Sequence, residues 1–149
     1  MKYFKVQELV SESTYKARGG RSTQLIDKRV ITFIEGLREA LGKPITINNW
    51  HVGGEYQWRG LRIPESPWYS TYSMHTHGKA LDFDVKGMAA EEVRQWIIEH
   101  RELEWVRPVN FLEGGETVNW GHIDVRNGTD GNLWLWDKDT GCTTVYGRE

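Results

Sequence analysis

The sequence predicts an α+β domain, a small antiparallel sheet flanked by helices. Three observations predict it. Apolar residues in 22–44 recur mostly at three- and four-residue spacing, as on one face of a helix. "ALDFDV", 80–85, alternates as a half-buried strand does. "NFLEGGETVNWGHIDV", 110–125, reads as two strands around Gly114-Gly115, a two-residue hairpin turn that implies antiparallel pairing.

Taken in order, Leu25, Ile26, Val30, Phe33, Ile34, Leu37 and Leu41 form the apolar stripe of the first clear helix. Ser22 or Thr23 is placed to cap it, and Gly42 followed by Pro44 ends it. "ITI", 45–47, is a short strand. Residues 48–74 lack steady periodicity and are long for a loop in a compact domain, which points to a functional segment; their six aromatics favour an ordered one. In 80–85, Leu81, Phe83 and Val85 share one face, with Asp82 and Asp84 on the other. "MAAEEVRQWIIEH" is a second helix, burying Val93, Trp96 and Ile97. In the tail "NLWLWDKD", Leu133 and Leu135 alternate with Trp134 and Trp136, so one pair packs inward, in the simplest case on an edge strand.

The 149 residues suit one domain, with no repeat, linker or low-complexity tract to divide 1–149. A net charge of −2 argues against nucleic acid as a partner, since phosphate contacts normally need a basic excess. No stretch approaches the ~20 apolar residues of a membrane span, and the N-terminus has no uninterrupted apolar segment like that of a secretion signal. The single cysteine, Cys142, excludes an intramolecular disulfide and a cysteine-built metal site. Any metal ligands must be His, Asp or Glu.

"YSMHTHGKALDFDV", 72–85, holds two histidines and two aspartates. Gly78 lets the loop carrying His75 turn back towards Asp82 on the polar face of its strand. Zinc accepts neutral imidazole nitrogen and carboxylate oxygen, and a catalytic site takes three protein ligands with one position open. His122, in "NWGHIDV", is the best third ligand. Asp84 and Asp124 are placed to support the ligands from behind or to face water.

These residues fit a known pattern. "SMHTHGKALD" matches S-x-H-x-x-G-x-A-x-D through Ser73, His75, Gly78, Ala80 and Asp82, and "WGHID" matches a following W-x-H motif. The chain resembles, over residues 3–126, the zinc peptidases of the D-Ala-D-Ala carboxypeptidase and L-alanyl-D-glutamate endopeptidase family. Bacteriophage endolysins belong to it, and the amino-terminal Hedgehog domain shares its fold. The resemblance implies that His75, Asp82 and His122 hold Zn2+, with His77 the second choice to His75. It implies a peptidase cutting the stem or cross-link peptides of peptidoglycan.

Two departures bear on activity. Many relatives carry an acidic residue three before the last histidine, where this chain has Asn119, which takes up no proton near neutral pH. Three carboxylates are alternatives for the general base, in the order Glu116, Asp124, Glu113. Glu116 lies six residues before His122, about 20 Å along a straight strand, so it serves only if the chain bends. The family's "SGYR"-like stretch is "NNWH" here, which leaves Arg59 and Arg62, with Ser73 of the motif, as the candidates for substrate binding; an arginine fork suits the peptide's free carboxylates. The expected setting is a phage or prophage product, made in the host cytoplasm and acting in the periplasm or cell wall. The rival expectation is a structural component of a phage particle, bound to other virion proteins and keeping zinc only as a staple.

Overall fold

The computed structural model describes residues 1–127 and 130–149. Four-residue-spaced apolar side chains and two alternating strands build an α+β fold. Its main helices are α1 (Glu12–Arg18), α2 (Lys28–Leu41) and α3 (Ala90–Glu99). Its strands are β1 (Ile45–Thr46), β2 (Ala80–Val85), β3 (Phe111–Gly114), β4 (Gly121–Asp124), β5 (Leu133–Asp137) and β6 (Thr143–Tyr146). Among the described residues, no helix is long and apolar enough to cross a membrane.

The six strands form one mixed sheet in the order β1-β2-β4-β3-β5-β6. All neighbours are antiparallel except β3 and β5, which run parallel, Phe111 beside Trp134 and Glu113 beside Trp136. This corrects the all-antiparallel expectation. β4 ends and β5 begins beside the same residue, Phe111, on opposite sides of β3, and that strand order leaves no local pattern in the residues. β5 is also interior, with β6 outside it.

Side chains alternate across a strand, so register sorts the sheet into two faces. Leu81, Phe83, Leu112, Ile123 and Leu133 point into the core and are wholly buried. Against them pack α2, through Val30, Phe33, Ile34 and Leu37, and α3, through Val93, Ile97 and Ile98. The rings of Phe33 and Phe83 lie 6.4 Å apart. The tail's leucines follow the core face while Trp134 stays exposed, so the inward pair is Leu133 and Leu135. The opposite face carries Asp82, His122, Asp124, Phe111 and Glu113.

Two local expectations are corrected. Asp27, rather than Ser22 or Thr23, caps α2: its Oδ1 accepts from the Arg29 amide at 2.9 Å, and 19–25 form a separate 3-10 helix. Asp27 follows an extended residue, Ile26, which breaks the helical run. The turn between β3 and β4 is not Gly114-Gly115 alone but the whole of 115–120, because Gly114 still belongs to β3 and pairs with β5. The buried Arg94 guanidinium holds that connection from below, reaching the carbonyls of Val118 and Trp120.

The long segment 48–74 is ordered by buried polar contacts rather than regular elements. Asn48 donates to the Val10 carbonyl at 3.1 Å and accepts from the Arg59 amide at 2.9 Å. Leu61 donates to Leu9 O, Arg62 to His75 O, and the Asp82 amide to Arg59 O, so 59–62 threads between the N-terminal segment and β2. A Cβ on Gly60 would stand 2.1 Å from the Leu9 carbonyl oxygen, which is why only glycine fits there.

Candidate metal centre

β2 and β4 bring two of the three predicted ligands together by register alone. Asp82 stands opposite His122 on adjacent antiparallel strands, on the face turned from the core. His75 comes from a one-turn 3-10 helix, Met74–His77, whose first amide turn is capped by Ser73 Oγ, accepting from His75 N at 3.3 Å. Gly78 ends that turn at φ +66, a left-handed conformation in which a Cβ would lie 1.9 Å from the Leu25 carbonyl oxygen. Chain reversal there delivers His75 onto the strand.

The result is a buried His75–Asp82–His122 group whose ligand atoms all lie within 4.8 Å of one another. Asp82 Oδ1 is 2.7 Å from His122 Nδ1, and Asp82 Oδ2 is 3.3 Å from His75 Nε2. His75 Nδ1 sits 2.8 Å from the Gly60 carbonyl, which can only accept. Nδ1 therefore donates to that carbonyl, which leaves Nε2 as the ring nitrogen turned to Asp82 and available to a metal. His122 Nε2 lies 3.5 Å from Asp124 Oδ2, and Asp124 is in turn gripped by Arg126 through Nε at 2.8 Å and Nη2 at 2.5 Å. A carboxylate behind the imidazole fixes its orientation and leaves Nδ1 for a metal. Arg126 also lies 3.6 Å from the Phe111 ring centroid, which closes the back of the site.

The electrostatics agree with a cation-binding group. Burial alone would raise the Asp82 carboxyl, but the neighbouring His75 and the His122 hydrogen bond outweigh it and hold it well below the ordinary range. Burial pulls His122 down, while the hydrogen bonds to Asp124 and Asp82 push it up to about 9. Its two carboxylate neighbours offer only acceptors, so the metal-free imidazole keeps both protons. A bound cation at Nδ1 would replace one of them. Three convergent donors of the right chemistry, each ring oriented through its other nitrogen, can hold a metal ion.

The group lies on the floor of a cleft of about 590 Å³. Tyr56, Trp58, Trp68 and Trp120 supply its aromatic walls, and Glu113 and Lys138 stand at one side. Continuing the β3–β4 register by one residue places Glu113 opposite His122, where side chains on one face come within about 5 Å at Cβ. Glu113 thus faces the cleft beside the histidine. Glu116 is exposed in the 115–120 connection and does not line the cleft. Asp124 sits beneath His122, wholly buried, with both oxygens held by Arg126. Burial would raise its carboxyl, but Arg126 and His122 keep it depressed. Asn119 is exposed and borders a small crevice beside Phe83 and Asp84, away from the large cleft.

Of the residues expected to bind substrate, Arg59, Arg62 and Ser73 all line the cleft. Both arginines are already engaged. Arg62 Nη2 donates to Asp82 Oδ2 at 2.8 Å and its Nε to the Trp58 carbonyl. Arg59 Nη1 pairs with Asp84 at 2.5 Å while its guanidinium stacks on Tyr56. His77 is exposed and reaches the Thr71 carbonyl at 2.9 Å, outside the ligand group. Sequence reasoning overlooked Lys138 and the Gly60 carbonyl; it placed Trp120 on the face of His122 but gave it no part in a cleft. The "DKDTG" turn was a visible signal for Lys138; the parallel pairing that brings it to the cleft was not. No protein-family model matches the chain, and neither a curated protein nor a solved structure does.

Proposed function

We propose that this chain is a zinc-dependent peptidase that cleaves stem or cross-link peptides of peptidoglycan, as a phage or prophage product. The observation that carries the reading is the buried His75–Asp82–His122 group at the floor of an open cleft with a carboxylate, Glu113, beside it. A mere staple needs no cleft. The motif resemblance through Ser73, His75, Gly78, Ala80, Asp82 and His122 supplies the substrate class.

His75 Nε2, a carboxylate oxygen of Asp82 and His122 Nδ1 are the ligands, a nitrogen and oxygen set suited to zinc. When bound, the ion supplies Lewis-acid polarisation of the scissile carbonyl and acidification of water. Glu113 takes a proton from the attacking water and returns it to the leaving amine, the work of a general base and then acid. Asp124, backed by Arg126, holds His122 in register. Arg62 keeps Asp82 aimed into the cleft, and the aromatic walls exclude water around the peptide.

The test is hydrolysis of purified peptidoglycan by zinc-loaded protein against a chelated control, reading new amino groups by mass spectrometry. A chelator-sensitive peptide cut is expected, and its product masses identify the bond. One zinc per chain with no cut would overturn the peptidase and favour the structural component of a phage particle.

A further inference from the structure

Three cations line the cleft among the described residues outside the histidines: Arg59, Arg62 and Lys138. The two arginines are largely buried, 16% and 17% exposed, and each is locked to its own aspartate. Lys138 differs. Its side chain is 48% exposed, and its ammonium lies 4.0 Å from Glu113 Oε1, beyond hydrogen-bond distance, and 5.4 Å from the Trp120 ring centroid. Its backbone, by contrast, is pinned. The Lys138 amide donates to Gly114 O at 2.9 Å. Asp137 Oδ1 accepts from the amides of Asp139 and Thr140, and Asp139 accepts from both the amide and the hydroxyl of Thr117. The turn between β5 and β6 is thus fastened to the 115–120 connection, and a rigid backbone presents a cation with no hydrogen-bonded partner among the described residues.

We propose that Lys138 binds a free carboxylate of the peptide substrate, on the residue next to the bond that is cut. This rests on the peptidase reading above. A compact ammonium on a flexible stem, over an aromatic ring and beside Glu113, is placed to exchange a long contact with Glu113 for a direct one with the ligand. Arg62 would have to leave the buried Asp82 uncompensated to do the same, and Arg59 would have to give up both its ion pair with Asp84 and its stacking on Tyr56. Lys138 lies outside 3–126, so the tail that the motif resemblance leaves uncovered becomes the part that selects substrate.

The probe is a synthetic stem pentapeptide, as the free acid and with every carboxylate amidated. Calorimetry on the metal-free protein, which does not turn the peptide over, gives the binding preference, and KM on the zinc-loaded protein gives it again. Wild type is expected to prefer the free acid about tenfold, the size of one charge-assisted contact. K138M loses that preference while keeping kcat, and K138R retains most of it. A preference that survives K138M overturns the assignment and leaves the peptidase standing. So does a K138M effect confined to kcat, which would make Lys138 an electrostatic neighbour of Glu113. No binding or hydrolysis of either peptide by wild type overturns the peptidase reading and this one with it.

Discussion

Asp82 and His122 face each other across β2 and β4, and their side chains meet at 2.7 Å between Oδ1 and Nδ1. Strand register thus sets the spacing of two of the three candidate ligands. A slip of one residue in either strand would turn that strand's donor into the core. The third, His75, depends on a turn and a hydrogen bond to Gly60.

His75→Ala and His122→Ala should each abolish stoichiometric zinc, measured by elemental analysis after dialysis against nanomolar free metal. Two remaining donors do not replace three at a tetrahedral ion. Full metal content in both variants would remove the site assignment. His77→Ala should keep its zinc, because its ring is turned to Thr71.

Glu113→Gln should leave zinc bound and lower kcat by about 10²-fold or more, the usual worth of a positioned base. Glu116→Gln should leave turnover within about twofold. The comparison is decisive because the two residues are three apart and only Glu113 lines the cleft. Equal activity in E113Q and wild type would return the base to another carboxylate.

Gly78→Ala should cost more than ~2 kcal/mol of stability, read from the urea midpoint at constant slope. An L-residue is strained at positive φ, and the new Cβ would strike the Leu25 carbonyl. The same strain should move His75 and weaken zinc binding. An unchanged midpoint would show that the turn relaxes freely.

Acid should weaken the α2 terminus. The hydrogen bond from Arg29 holds the Asp27 carboxyl below its ordinary 3.8. A depressed folded value means the contribution is present above 3.8 and is lost as pH falls through the folded value. Asp27→Ala should therefore cost about 1 kcal/mol at pH 7, and the gap to wild type should narrow towards pH 2 in paired urea titrations. A gap independent of pH would mean that the carboxylate's charge plays no part.

The local elements were legible because their causes are local. The stripe through Val30, Phe33, Ile34 and Leu37 and the alternation of Leu81, Phe83 and Val85 identify α2 and β2 directly, and the glycine and histidine spacing of 73–82 points to the ligands. The cap on α2 was misplaced because Ser22, Thr23 and Asp27 all carry capping chemistry. The extended backbone at Ile26 separates the 3-10 turn from α2 and selects Asp27.

By itself, the sequence determined an α+β chain, two amphipathic helices, the strand that carries Asp82 and the residues able to bind a metal. Tertiary structure alone decided that β5 runs parallel to β3, that Glu113 rather than Glu116 faces the cleft, and that Arg59 and Arg62 are tied to aspartates while Lys138 is not. The reason is physical: periodicity reports which face of an element is buried, whereas pairing between distant strands and the partner of a charged side chain depend on contacts between residues far apart in the chain.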